Sequence, residues 1–223
     1  LRVDLRRHPP HLGGGGERRQ PRGRLRPRPC RPRLLRPEDC HLCPWPWVGP
    51  SPHRERQRLP PRREPKTGRI KAVVTDFDGV HTDDRVLVSQ DGQEAVLCSR
   101  RDGMGIERLR DRGVRLLILS KEANPVVKAR AAKLKMPVQN HVDDKLSALD
   151  AWRTEHGLEW AEIAYIGNDI NDVACMAACG LAFAPADAHA DALAVADIVL
   201  EASGGKGALR EMSDTLLARQ LIA

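Results

Sequence analysis

Two carboxylates, Asp76 and Asp78, close an apolar, β-branched run that reads Val73-Val74-Thr75. Like charges this close resist joint ionisation unless a cation or a proton lies between them. The pair therefore points to a bound divalent metal, with one carboxylate free to attack an electrophile. Gly79 follows, where the backbone turns freely. A second oxygen-rich cluster, Gly167-Asn168-Asp169-Ile170-Asn171-Asp172, ends another apolar run and suits a hard cation such as Mg²⁺. Ser120 ends a third run, and Lys145 opens a helix after Asp143-Asp144. Taken singly, such a Ser is mostly a turn or cap residue and such a Lys a solvated surface group. Taken together at strand ends, the four elements describe phosphoryl transfer to a carboxylate. A carboxylate nucleophile divides hydrolysis into two steps through an aspartyl phosphate, and a metal offsets its repulsion from the anionic phosphate. Ser120 would donate to a phosphoryl oxygen, and Lys145 would neutralise charge on the nucleophile and the equatorial oxygens. The carboxylate two residues on would protonate the leaving alkoxide and then deprotonate the attacking water.

The elements that hold these groups alternate from Ile70 onward. Strands are predicted at 70–75, 114–119, 137–139, 163–166, 181–183 and 198–200. Helices are predicted at 103–112, from Asn124-Pro125, at 144–156, at 169–179, from about Ala190 and at 206–218. Asn124 and Pro125 supply a helix cap and first turn, and Gly113 a stop. Val86–Val88 and Ala95–Cys98 flank Gln90-Asp91-Gly92 as a β-hairpin. Buried strands alternating with helices predict an α/β, Rossmann-like three-layer fold with a mainly parallel sheet. Ligands of such sheets sit at the carboxyl ends of the strands, which is where the four chemical elements fall.

Charge divides the chain in two. Residues 1–70 hold 19 of the 37 Lys and Arg and 6 of the 30 Asp and Glu, a local net of +13, whereas residues 71–223 carry a net of −6. Fourteen of the 17 prolines also precede Lys71. Residues 1–68 are Arg-, Pro- and Gly-rich without helical or strand period and are read as disordered. They are expected to be a non-native or poorly delimited start rather than a nucleic-acid-binding tail, and residues 69–223 to be the folded domain. The acidic folded part argues against a nucleic-acid partner. Cys40-His41-Leu42-Cys43 has metal-knuckle spacing but no second ligand pair at proper spacing. Cys175 and Cys179 are read as core residues. No apolar run reaches membrane-spanning length, and the cysteine usage fits the cytoplasm.

The set Asp76-Phe77-Asp78, Ser120, Lys145 and Gly167-Asn168-Asp169 to Asp172 resembles the four motifs of the haloacid dehalogenase (HAD) superfamily of phosphatases. Arg101-Asp102-Gly103-Met104-Gly105-Ile106, Ala186-Asp187-Ala188-His189 and Gly204-Gly205-Lys206-Gly207-Ala208 extend the likeness to its capless subfamily acting on sugar-acid phosphates. That subfamily includes 3-deoxy-manno-octulosonate 8-phosphate phosphatase and the phosphatase-like domain of some acylneuraminate cytidylyltransferases. The resemblance covers roughly residues 70–220. It implies Asp76 as nucleophile and metal ligand. Asp78 becomes the acid/base and ligates through its carbonyl, and Ser120 and Lys145 hold the phosphate. It implies Asn168, Asp169 and Asp172 around Mg²⁺, and Asp102, Gly103, Lys121, Glu122 and Lys206 near the substrate. It also implies a homotetramer in which the hairpin, about residues 85–98, replaces a cap domain and covers a neighbour's site. Gly204–Gly207 would lie near an active site. Two departures stand out. Asn168 replaces the family's usual Asp, which predicts weaker metal binding. Lys121-Glu122 replaces a usual Gly-Arg, which fits the acylneuraminate-linked branch and a nine-carbon sugar acid. The expected function is a Mg²⁺-dependent sugar-acid phosphatase. The alternative is a non-catalytic oligomerisation domain derived from a cytidylyltransferase fusion.

Overall fold

The computed structural model describes residues 69–222. The segment 1–68 and its Cys40/Cys43 pair lie outside the described residues. In chain order the elements begin with β1 (Ala72–Thr75), β2 (Leu87–Val88), β3 (Glu94–Ala95), α1 (Arg100–Arg110), β4 (Arg115–Leu119) and α2 (Pro125–Leu134). They continue with β5 (Val138–Gln139), α3 (Lys145–Glu155), β6 (Ile163–Ile166) and α4 (Val173–Ala178). The chain closes with β7 (Leu181–Ala184), α5 (Ala190–Val195), β8 (Ile198–Val199) and α6 (Ala208–Ala218). Six strands form one parallel sheet in the order β5-β4-β1-β6-β7-β8, and β2 and β3 form a separate antiparallel hairpin.

The period-2 alternation of buried strands sends side chains to both faces, and each face has its own core. Val73, Leu116, Ile118, Ile166 and Phe183 pack with Ile106 and Leu109 of α1, Val127 of α2 and Leu209 and Met212 of α6. Ala72, Val74, Leu117, Tyr165 and Ala182 pack with Leu149 and Trp152 of α3, Met176 of α4 and Ala192 of α5. This is the predicted three-layer α/β arrangement. Full burial of each large apolar side chain contributes roughly 1.5–3 kcal/mol, so the sheet is a rigid base for its carboxyl-end loops. Among the described residues no helix is long and apolar enough to cross a membrane.

Three helix starts differ from expectation, each for a local reason. α1 begins before Gly103, because the Ser99 hydroxyl accepts the Arg101 amide and caps the helix. α4 begins only at Val173, because the preceding residues wrap around the Asp172 carboxylate. α6 begins at Ala208, after Gly207 adopts φ 118°. Asn124 caps α2 as predicted, its Oδ1 accepting the Val126 amide. The hairpin turns at Gln90-Asp91-Gly92, with Gly92 N donating to Ser89 O, but its ladder is only two residues long on each side.

Candidate active site

β1 lies at the centre of the sheet, aligned through Thr75 with Ile118 of β4 on one side and Ile166 of β6 on the other. The connection from β1 leads towards β4, and that from β6 leads towards β7, on opposite faces. The crevice between β1 and β6 is thus the topological switch point, where α/β sheets bind ligands. Asp76 and Asn168 emerge there, and the Asp76 amide donates to Ile166 O at 3.0 Å.

Asp76 and Asp172 share one cation. Lys145 Nζ lies 2.7 Å from Asp76 Oδ1 and 2.8 Å from Asp172 Oδ1, with all three side chains buried. Asp76 Oδ1 also accepts the Phe77 amide at 2.7 Å. Burial, then the Asp172 charge, hold the Asp76 carboxyl well above its ordinary range against the opposing pull of Lys145. Burial disfavours the Lys145 ammonium, but the two carboxylates outweigh it and raise its pKa. Asp172 is saturated: Oδ1 accepts Lys145 and the Tyr165 hydroxyl (2.7 Å), and Oδ2 accepts the Asn168 and Asp169 amides at 3.0 and 3.3 Å.

Asp78 occupies a different environment. Phe77 between the two acids points into the core and is fully buried, while Asp78 is half-buried at the mouth. Burial, then the charges of Glu122 and Asp84, push Asp78 up to about 6. The turn that carries it is fixed from within and from outside. The amides of Val80, His81 and Thr82 converge on Phe77 O, and Gly79 N donates to the Thr82 hydroxyl. Gly79 has φ +67°, and a Cβ there would meet Asn168 Nδ2 at 1.9 Å. From the opposite side Gly204 presses so closely that its own Cβ would lie 2.0 Å from Gly79 O. Gly205 N donates to Val80 O, and Asp187 Oδ1 accepts Gly204 N. The glycine-rich stretch therefore packs on the turn of this chain that carries Asp78.

Ser120 is buried beyond the end of β4, and its Oγ accepts the Glu122 amide at 3.0 Å, leaving the hydroxyl hydrogen to donate. Glu122 is held in turn, its Oε1 accepting the Asn124 amide at 2.7 Å. Lys121 is exposed and pairs with Asp143 at 3.6 Å. Lys206 is exposed on the Gly204–Gly207 stretch; the Arg85 hydrogen bond above all, and the Lys206 charge last, lower Asp83.

The remaining candidate residues have these surroundings. Asp172 spends its acceptors on Lys145, the Tyr165 hydroxyl and the Asn168 and Asp169 amides, so in this structure it holds Lys145. Asp169 is exposed, and its Oδ1 accepts the Ile170 amide. Among the described residues no three His, Cys, Asp or Glu side chains come together as a metal-binding group. Asp102 lies inside the fold. It is fully buried, and its Oδ1 accepts the Arg210 amide at 3.0 Å at the start of α6, while its Oδ2 is buried without a hydrogen-bond partner. Gly103 lies against Leu134 of α2, and a Cβ at Gly105 would strike the backbone of Arg210, so this motif packs helices. Spacing alone missed Tyr165, the sole tyrosine of the chain and a lone phenol in an apolar strand, and His81.

No family model matches the chain. It is 37% identical over 157 residues to the 3-deoxy-D-manno-octulosonate 8-phosphate phosphatase KdsC of Haemophilus influenzae, covering 70% of this chain and 87% of that protein. It is 35% identical over 152 residues to N-acylneuraminate cytidylyltransferase A of Danio rerio, covering 66% of this chain but about a third of that protein (35%). A HAD family hydrolase from Streptomyces avermitilis superposes with TM-score 0.66 at 48% identity, over 69% of this chain and 88% of that one. An octulosonate 8-phosphate phosphatase from Moraxella catarrhalis, solved with magnesium, phosphate and KDO, superposes with TM-score 0.66 at 29% identity, over 69% of this chain and 88% of that one. With the motif residues gathered at the switch point of a HAD-type sheet, the chain belongs to the KdsC-like phosphatases of the HAD superfamily, with homology to acylneuraminate cytidylyltransferases.

Proposed function

We propose that the chain is a Mg²⁺-dependent phosphatase that hydrolyses a sugar-acid phosphate through an aspartyl phosphate on Asp76. The substrate is of the nonulosonate 9-phosphate or octulosonate 8-phosphate type. The observation that carries this reading is the pair of unlike carboxylates: Asp76 buried against Lys145, and Asp78 half-exposed and raised to about 6. Two carboxylates whose surroundings separate their roles supply a nucleophile and a proton carrier. Asp76 attacks phosphorus while Asp78 gives its proton to the leaving sugar oxygen. Asp78, now ionised, takes a proton from the water that opens the phosphoenzyme. Lys145 holds Asp76 in place, and Ser120 donates to the phosphoryl group.

The residues present fit a hard cation. Asn168 Oδ1 is buried without a hydrogen-bond partner beside Gly79, and it would ligate together with Asp76 and the Asp78 carbonyl. When bound, Mg²⁺ would neutralise charge between nucleophile and phosphate. The need for it is legible at the mouth, where the charges of Asp83, Asp169 and Asp187 bear on Asp84 and Glu122 bears on Asp78. An anionic substrate approaching that rim requires a compensating cation. The Moraxella relative solved with magnesium, phosphate and KDO supports the same chemistry. Glu122 and Lys121 near the mouth favour the nine-carbon acid, and Lys206 is a further candidate contact.

The same reading takes residues 69–223 as the phosphatase domain in the cytoplasm, where reduced cysteines such as Cys98 and Cys175 are at home. It takes the assembly as a homotetramer built on the hairpin, which exposes Val86, Leu87, Val88 and Leu97 at 50%, 72%, 58% and 78%. That apolar surface serves equally the alternative of a non-catalytic oligomerisation domain, so turnover must decide. The test is phosphate release from a panel of sugar-acid phosphates with Mg²⁺, comparing wild type with Asp76→Asn. Turnover abolished by the substitution supports the phosphatase. A stable oligomer inert on every member of the panel refutes it in favour of the alternative.

A further inference from the structure

The acid/base turn contains one polar group that the chemistry above does not use. His81 is fully buried. Its Nε2 lies 2.9 Å from Thr75 Oγ1, a bond spanning six residues of chain. Thr75 is the last residue of β1 and immediately precedes Asp76, whereas His81 lies three residues beyond Asp78. The two ends of this bond therefore bracket both carboxylates. The His81 ring stacks on Phe77 with centroids 5.6 Å apart and planes inclined by 24°, and Phe77 is the residue between the acids. The His81 amide also donates to Phe77 O at 2.8 Å. Burial, then the facing Arg130 charge, push the ring down to about 3, so it is neutral at physiological pH.

An aliphatic side chain at position 81 would fill the same space and keep the backbone bond. What the imidazole adds is a directional link from the turn to the strand end. The link matters because Asp76 is fixed by Lys145 and the sheet, whereas Asp78 is attached only to the turn. Misplacing a catalytic group by about 1 Å can cost on the order of 100-fold in rate.

We propose that His81 is a positioning residue that sets the placement of Asp78 relative to Asp76 through its hydrogen bond to Thr75. This rests on the phosphatase reading. His81 does not touch substrate and acts only through the turn, so it governs the chemical step rather than substrate capture.

The test is a cycle of Thr75→Val, His81→Leu and the double variant, with His81→Gln as the conservative replacement, followed by kcat, KM and melting temperature. Each single variant strands a buried polar group and is expected to melt lower. The double variant removes both partners and is expected to regain most of that loss. Positioning predicts that kcat falls about tenfold or more in each single variant and stays equally low in the double variant. KM should stay within about twofold. Gln, whose amide reaches the same hydroxyl, should recover much of kcat. A double variant with both wild-type melting and wild-type kcat overturns the proposal, as does a kcat that merely tracks melting temperature through the series. A wild-type protein without turnover on any substrate would instead refute the phosphatase reading. In that case the equal loss of melting temperature in the two single variants would be the whole effect of the bond, and the positioning role would fall with it.

Discussion

Lys145 is one ammonium between two buried carboxylates, and replacing it with Met gives a test of the charge arrangement itself. Its contacts are 2.7 and 2.8 Å long. At such a distance and an effective dielectric of about 20, each attraction is worth roughly 6 kcal/mol before desolvation is subtracted. Removing one partner from a buried ion pair destabilises by about 3–5 kcal/mol, because the remaining charge is uncompensated. For a domain of about 150 residues, that lowers the melting temperature by roughly 6–20 °C. Methionine keeps the length of the stem, so little of the loss comes from packing. The variant can relieve the strain by taking up a proton. Burial and Asp172 already hold Asp76 above its ordinary range, and losing Lys145 removes the main opposing influence. The native variant then binds a proton that the unfolded chain has released, so its stability falls as pH rises through the raised pKa and is retained below the unfolded carboxylate range. Thermal melting of wild type and Lys145→Met at pH 5 and pH 8 reads this directly. The gap between them should be smaller at pH 5 than at pH 8, and Asp76→Asn added to Lys145→Met should narrow it at pH 8. An equal gap at both values would mean that lost packing, not uncompensated charge, explains the defect.

Three further outcomes are expected. The first step of turnover needs Asp78 protonated, so phosphoenzyme formation should decline as pH rises above about 6; Glu122→Gln removes a repulsive charge and should move that decline to lower pH. A pH profile of pre-steady-state phosphate transfer checks this, and an unmoved limb in Glu122→Gln would show that Glu122 does not act on Asp78. Asn168→Asp places a further carboxylate beside Asp76, so it should melt lower without Mg²⁺, gain more in melting temperature on Mg²⁺ addition than wild type, and saturate at lower Mg²⁺. An unaltered response to Mg²⁺ would remove Asn168 from the ligand set. Gly204→Ala drives a methyl group to 2.0 Å from Gly79 O, which the turn can accommodate only by moving; kcat should fall at least about tenfold, and wild-type kcat would show that the glycine stretch does not hold the turn.

The sheet was legible because each buried strand is a short apolar run, and the site was legible because its acids sit just beyond those runs. What spacing does not reveal is how a polar group's bonding capacity is used. Asp172 and Asn168 read alike as oxygen donors four residues apart. In space the first spends all its acceptors on Lys145, Tyr165 and two amides, while the second keeps a buried oxygen without a partner. Asp102 read as a substrate contact because its motif is conspicuous, yet it is fully buried in the fold and its Oδ1 accepts the Arg210 amide at the start of α6. The role of His81 was not legible, since a histidine two residues past a glycine specifies neither a partner nor a direction. The helix starts erred where features invisible to apolar periodicity decided the boundary: the Ser99 cap at α1, the wrap around Asp172 before α4 and the positive φ of Gly207 before α6.

Asn168 gains a physical reason from the same accounting of charge. With an acid at that position, the floor of the crevice would hold three buried or nearly buried carboxylates, at 76, 168 and 172, facing the single ammonium of Lys145. Without a cation such a set must bind protons or loosen. The amide leaves two carboxylates on one lysine, an arrangement that can stay folded when the cation has dissociated. On the proposed reading the consequence runs in both directions: the metal-free protein should be more stable than an all-acid site would be, and its hold on the cation should be weaker. Stability without Mg²⁺ and affinity for Mg²⁺ should therefore change in opposite senses in Asn168→Asp, a pairing that an effect on packing alone would not produce.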